Sequence, residues 1–177
     1  TNDVKLTFDD DIKFDTKGIP KCTANLDNTT PAQADNKCGN ATVGSGSATA
    51  CLGNPCTPLA ASVRAYNGAP QGKNPTIILH SYIAAINSTT VLTGTLKSGG
   101  KGDFDKVLDV PVPVLPATIT DFKTTVGKTT NVKGTKHYYV SARCADSNKQ
   151  LNMKSKFTYT NSGETPDTDS ESSKCTT

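Results

Sequence analysis

Six cysteines constrain the fold of this chain more than any other feature of its sequence. They are Cys22, Cys38, Cys51, Cys56, Cys144 and Cys175, in a chain with no Trp and one Met. Their number is even, and their spacing contains neither the repeated CxxC pairs of zinc sites nor the CxxCH of haem attachment. Such cysteines are typical of proteins from an oxidising compartment, so the sequence predicts three disulfides in a secreted or cell-surface protein.

The spacing of the cysteines favours pairing between neighbours, although sequence alone leaves many other pairings open. The favoured pairs are Cys22–Cys38, Cys51–Cys56 and Cys144–Cys175. The first pair would close a loop of about 17 residues. In the chain-entropy model, a disulfide that closes such a loop stabilises the fold by roughly 3 kcal/mol. The third pair would hold the polar C-terminal tail against the end of a strand.

Length and composition indicate a single all-β domain that spans residues 1–177. The chain contains 27 Thr, a β-branched residue that favours half-exposed strands. The net charge of +3 has no associated basic patch, which argues against a nucleic-acid partner. No apolar run approaches the roughly 20 residues of a membrane span. The first residues lack the apolar core of a signal peptide, so we expect that a signal was removed before residue 1.

Hydrophobic alternation predicts about nine strands separated by short turns. The most apolar segment, Thr76–Ala85, is the candidate central strand. Thr30 followed by Pro31 predicts an N-cap and one or two helical turns that end near Gly39. We therefore expect an antiparallel β-sandwich with one short helix and three disulfides, or alternatively a closed β-barrel.

Local signals within this pattern mark turns and irregular strands. Asp9–Asp11 predicts a turn or bulge between two short strands, and Asn67-Gly68 is typical of a tight hairpin turn. Gly44 and Gly46, in a segment of small residues, predict a bulge or a close approach of another backbone.

Two stretches of the chain resemble a pattern in uncharacterised secreted proteins of actinobacteria. The first is Lys17-Gly-Ile-Pro-Lys-Cys22, and the second is Cys38-Gly-Asn-Ala-Thr-Val-Gly-Ser-Gly46. In that pattern KGxPxC precedes CGxAxVGxG, and the closing Tyr139–Cys144 segment and the terminal Cys175 are also similar. The resemblance implies an exported, disulfide-bonded β-rich domain, and its motifs contain no catalytic residue.

Few side chains are candidates for a binding or catalytic role. The candidate ligand-binding residues are Tyr138, Tyr139, Tyr82 and His80, because amphipathic aromatics on strands can form a binding face. Asp9, Asp10 and Asp11 could supply the oxygen ligands of calcium, although they lack the spacing of an EF-hand. Ser81 follows His80 directly and would point to the opposite face of a strand, so the two cannot form a nucleophile–base pair. We expect no cofactor and no catalytic residue.

These observations favour a non-enzymatic, extracellular structural or interaction module. The module could assemble with itself by edge-strand exchange, and Val4–Phe8 would be the strand lent to a neighbour. A first alternative is a domain that binds a surface glycan or a small apolar ligand. A second alternative is a secreted hydrolase that uses His80 or a pair of carboxylates.

Overall fold

The structure, a computed structural model, describes residues 2–99, 102–113, 117–144, 150–159 and 165–175. Within these residues the chain forms thirteen strands, one α-helix and two short 3-10 turns. The helix α1 (Pro31–Cys38) lies between the second and third strands. The strands are β1 (Asn2–Asp9), β2 (Ile12–Phe14), β3 (Thr42–Leu52), β4 (Thr57–Asn67), β5 (Thr76–Ile83), β6 (Ser88–Ser98), β7 (Phe104–Val112), β8 (Thr118–Val126), β9 (Thr129–Val132), β10 (Thr135–Tyr138), β11 (Val140–Ala142), β12 (Gln150–Thr158) and β13 (Asp167–Lys174).

Nine strands form one antiparallel sheet in the order β13-β12-β1-β7-β6-β5-β4-β3-β8. This sheet curls into a half-barrel, while β9 pairs with β10 and β2 pairs with β11 in two small sheets. The predicted all-β class, short helix and three disulfides are confirmed, and the curled sheet is consistent with a sandwich or barrel-like fold. Among the described strands, β8 and β13 each have one partner and are the two edges of the sheet.

The strand register divides the large sheet into two faces, which we name after neighbouring residues of β5. On the Leu79 face, Leu79 lies opposite Ala65 of β4 and Leu92 of β6. On the His80 face, His80 lies opposite Arg64 and Val91 of the same two strands. Because side chains alternate along a strand, these pairs and the register of the remaining strands assign each residue of the sheet to one of the two faces.

Apolar side chains are buried on both faces of the sheet. The main core lies on the Leu79 face and contains Ile19, Val43, Ala65, Ile77, Leu79 and Tyr139. A second core lies on the His80 face beneath residues 22–41, which we call the cap segment and which include α1. It contains Cys22, Leu26, Ala34, Cys38, Ala41 and Tyr66.

Helix α1 begins as the sequence predicted. The Thr30 side chain accepts a hydrogen bond from the backbone N–H of Gln33, and the Gln33 side chain accepts one from the backbone N–H of Thr30. This capping box, with Pro31 in the first turn, satisfies backbone N–H groups that have no partner inside the helix. The helix ends at Cys38, and the 3-10 turn Gly39–Ala41 connects it to β3.

The three disulfides join the neighbouring cysteines that the spacing favoured. The Cα atoms are 5.2 Å apart in Cys22–Cys38, 5.1 Å in Cys51–Cys56 and 5.7 Å in Cys144–Cys175. Cys22 and Cys38 are buried in the core beneath the cap segment. The first disulfide therefore joins the start of the segment that contains α1 to the end of α1, within a packed core. The second disulfide closes the β3–β4 hairpin.

Two glycines of β3 allow β8 to lie close to it, as the sequence predicted. The β3–β4 register shifts between Thr42 and Gly44. An added Cβ at Gly44 would lie 2.2 Å from the carbonyl oxygen of Thr125, and one at Gly46 would lie 1.9 Å from that of Lys123. Side chains at these positions would therefore displace β8.

The structure corrects one expectation about the edges of the sheet and adds an edge strand that the sequence did not predict. Val4–Phe8 lies in β1, which is paired on one side with β7 and on the other with β12, so it is not a free strand that could be lent. The polar tail forms the edge strand β13, although its sequence has no hydrophobic alternation. The available edges are therefore β8 and β13.

Candidate functional site

The four side chains predicted to bind a ligand do not form one site. Tyr139 is 4% exposed and packs edge-on against Phe14, with ring centroids 6.4 Å apart, so it belongs to the main core. Its neighbour Tyr138 is 50% exposed. Tyr82 lies on the His80 face and donates a hydrogen bond from its hydroxyl to Oδ1 of Asn87. The structure thus places these aromatic residues in separate surroundings.

His80 is fully buried and holds the cap segment on the sheet. Its Nε2 lies 3.0 Å from both the backbone oxygen and the Oγ1 of Thr29. A carbonyl oxygen only accepts hydrogen bonds, so Nε2 carries a proton and donates a hydrogen bond to Thr29. The Thr29 hydroxyl in turn donates to the backbone oxygen of Leu26. His80 therefore acts as a structural donor and not as a base toward this hydroxyl.

His137 pairs with a carboxylate from a distant part of the sequence. Its Nδ1 lies 2.7 Å from Oδ2 of Asp15. Hydrogen bonds from His137 and from the backbone N–H of Lys17 lower the pKa of Asp15 below its ordinary value. A catalytic triad would also need a nucleophile hydrogen-bonded to Nε2, whereas the side-chain contact that His137 makes with a described residue is the one from Nδ1 to Asp15. The hydrolase alternative gains no support here and stays a prediction.

The acidic run after β1 supports the fold. Asp9 is fully buried; its Oδ1 accepts a hydrogen bond from the backbone N–H of Asp11, and its Oδ2 accepts two from Asn152. Asp10 is exposed at the turn, whereas Asp11 is buried. Across the described ranges, no three or more His, Cys, Asp or Glu side chains come together in a way that could hold a metal ion. The calcium prediction therefore gains no support, and Asp9 instead joins the end of β1 to the start of β12.

A polar groove lies beside α1, at the junction of the cap segment with β3 and β4. It has a volume of about 530 Å³ and is lined by Asp35, Gly39, Thr42, Val43, Gly44, Ser45, Arg64 and Gly127. Gly39 and Gly127 have open space where a Cβ would lie. Small residues on the rim therefore leave the charged side chains of the groove accessible.

Asp35 and Arg64 form the charged centre of this groove. Nε of Arg64 lies 3.4 Å from Oδ2 of Asp35, and both side chains are partly exposed. The buried Tyr66 donates its hydroxyl to Oδ1 of Asp35 at 2.7 Å. Burial, together with this hydrogen bond, raises the pKa of Tyr66, so the hydroxyl stays protonated as a donor. The groove thus presents a fixed carboxylate and guanidinium whose charges cancel.

An exposed apolar surface lies at the β8 edge. Ile119 and Phe122 of β8 are 45% and 43% exposed, and Leu52 at the end of β3 is 37% exposed. We call these three residues the edge patch. Ala50 pairs with Ile119 and Ala48 pairs with Phe122, so both β8 side chains lie on the Leu79 face. Their common face results from a bulge. The β3–β8 register shifts between Thr49 and Ala50, so Thr120 is an extra residue of β8 with no register partner in β3.

Sequence reasoning identified neither the polar groove nor the edge patch. Asp35 and Arg64 are 29 residues apart, and only the docking of α1 on β4 brings them together. The hydrophobic alternation that predicted the strands did not indicate that β8 would be an edge of the sheet.

Comparison with known proteins gives no relative from which a site could be transferred. The described part of the chain contains no helix with the length and apolar character needed to cross a bilayer. Searches with protein-family models, among curated proteins and among solved structures gave no match to this chain. The polar groove and the edge patch are therefore the two surfaces from which a function can be proposed.

Proposed function

We propose that this protein is an exported structural module that associates with other copies of itself through the β8 edge. The observation that carries the proposal is the edge patch, which exposes large apolar side chains on a strand with one described partner strand. Exposed sheet edges can pair with strands of another chain. The three disulfides support an extracellular setting, because such bonds persist mainly in oxidising compartments.

The two edges of the sheet differ in chemistry, which supports β8 as the associating edge. All of β13 is exposed, and it carries Asp167, Asp169 and Glu171 within eight residues. Charged side chains protect an edge against the addition of a further strand. The β8 edge is protected less well. Its two charged residues, Asp121 and Lys123, and its bulge at Thr120 lie beside two exposed apolar side chains, which favour contact with another chain.

The size of the edge patch indicates weak association. Burying a complete large apolar side chain is worth about 1.5–3 kcal/mol, so each half-exposed Ile119 or Phe122 would contribute about 1 kcal/mol. Two copies would together gain about 4 kcal/mol from these side chains, before the costs of association are subtracted. Pairing of backbone groups would add to this gain, and we expect a dissociation constant in the micromolar to millimolar range.

Sedimentation velocity over a wide concentration range tests the proposal. The wild-type protein should shift from monomer to a larger species as concentration rises, and Phe122→Lys should remove this shift. Tyr138→Lys is the matched control, because Tyr138 is a similarly exposed aromatic residue outside β8. Monomer at every concentration, or equal effects of the two variants, would contradict the proposal.

A second candidate function is the binding of a hydroxyl-rich glycan in the polar groove. Asp35 accepts hydrogen bonds and Arg64 donates them, and sugar hydroxyls can do both. The cancelled charge favours a neutral sugar over an anionic one. Since none of the described residues that line the groove is aromatic, we expect only millimolar affinity.

Backbone amide shifts measured by NMR during titration with cellobiose or with glucuronic acid test this candidate. Cellobiose should shift the amides of β3 residues that line the groove, and Arg64→Met should remove that response. Shifts spread evenly over the surface, or a stronger response to glucuronic acid, would contradict it.

A further inference from the structure

We infer that two copies pair through antiparallel β8 strands about a two-fold axis at Phe122, giving a closed dimer. This inference rests on the proposed function, and it adds the partner strand, its direction and its register. The contact would be isologous, so each copy would use the same surface and association would stop at two copies.

The charges of β8 are complementary to themselves in this register. Asp121 and Lys123 flank Phe122, and both lie on the His80 face, opposite Thr49 and Ser47 of β3. With Phe122 opposite its own copy, each Asp121 faces the partner's Lys123, which gives two cross-strand ion pairs. Centring the axis one residue away in either direction would instead place Asp121 or Lys123 opposite its own copy, and like charges directly opposite are unfavourable.

The apolar side chains agree with the same register. When a residue faces its own copy, equivalent faces of the two sheets lie on one side of the joined sheet. Phe122 would then contact the partner's Phe122 on the Leu79 face, where Ile119 also lies. Apolar contacts would form on one face while the ion pairs form on the other.

The acidic edge disfavours the alternative contact between β8 and β13, which would produce an open filament. Asp167, Asp169 and Glu171 pair with Phe157, Ser155 and Met153 of β12. Through β1 and β7, all three acidic residues lie on the Leu79 face. A β8–β13 contact with matched faces would place the edge patch against these carboxylates and leave them poorly solvated.

Charge exchange, followed by sedimentation velocity, tests this geometry. Asp121 and Lys123 are exposed, so their substitution should leave the fold intact. Asp121→Lys alone and Lys123→Asp alone should each weaken self-association about tenfold or more, because two ion pairs become two repulsions. An equimolar mixture of the two variants should associate as well as the wild type, since each heterodimer regains both ion pairs. The double variant should also regain dimerisation.

Matched controls separate this inference from the proposed function. Asp27→Lys and Lys133→Asp make the same changes in net charge at exposed positions outside β8 and should leave association unchanged. Failure of the mixture to associate would overturn the register, even if Phe122→Lys still abolished association and so supported the β8 edge. Species larger than a dimer would overturn the closed geometry.

Discussion

Replacing Gly46 with alanine would place a methyl group where the backbone of β8 lies. The added Cβ would be 1.9 Å from the carbonyl oxygen of Lys123 and 2.8 Å from the Cα of Thr124. Real Cβ atoms do not approach backbone this closely, so β8 must move away from β3. Overpacking of this kind costs about 1–3 kcal/mol, and a backbone obstacle favours the upper end of that range. The lower entropy of the unfolded chain offsets at most about 1 kcal/mol, so we expect a net loss of about 2 kcal/mol.

Thermal unfolding with the disulfides intact measures this loss. A decrease of about 2 kcal/mol should lower the melting temperature by about 4–8 °C in a chain of this length. Gly39→Ala is the control, because Gly39 has right-handed helical angles and no atom of a described residue lies within 4 Å of an added Cβ. That variant should unfold at the wild-type temperature or above it. If Gly46→Ala were equally stable, the close approach of β8 to β3 would be refuted.

Three further predictions concern hydrogen bonding, pH and the disulfides. Tyr66→Phe should lower the free energy of unfolding in denaturant by about 1 kcal/mol, because its hydroxyl donates to a carboxylate of α1. Tyr139→Phe should change it little, and equal effects would contradict this reasoning. The pKa of Asp15 is lower in the folded protein than in the unfolded chain, where it is about 3.9. Its carboxylate therefore stabilises the fold at pH values above the unfolded pKa, and this contribution is lost as the pH falls through the lower pKa of the folded state. Asp15→Asn should therefore make the melting temperature fall less steeply below about pH 4, and an unchanged profile would count against it. Brief mild reduction, then alkylation and mass mapping, should modify the more exposed Cys51–Cys56 first and the buried Cys22–Cys38 last; the reverse order would contradict the burial.

Features that depend on neighbouring residues could be predicted from the sequence. The N-cap Thr30 and Pro31 fix the start of α1 by hydrogen bonds and backbone angles within one turn. Each cysteine pairs with a neighbouring cysteine 5 to 31 residues away, as proximity in the sequence favoured. Hydrophobic alternation located most strands because one face of each is buried. These signals act over short distances and need no knowledge of the complete fold.

One local signal gave the wrong result because tertiary contacts outweighed it, and one strand gave no local signal. Asn67-Gly68 is not a tight turn, since Nδ2 of Asn67 is buried and donates to the backbone oxygens of Ile19 and Pro20. The chain reverses later, near Gly72, which has a φ of 61°. The strand β13 gave no hydrophobic signal, since its eight residues are exposed and are held by pairing with β12.

The edge patch depends on a bulge that the β8 sequence does not indicate. Ile119 and Phe122 are three residues apart, so a regular strand would place them on opposite faces. The extra residue Thr120 brings both onto the Leu79 face. Asp121 and Lys123 are two residues apart and share the other face by ordinary alternation. The apolar face would supply most of the attraction between two copies, whereas the charged face would select one register among several. Substitution of Phe122 therefore tests how strongly copies associate, and charge exchange at Asp121 and Lys123 tests which way the two strands run.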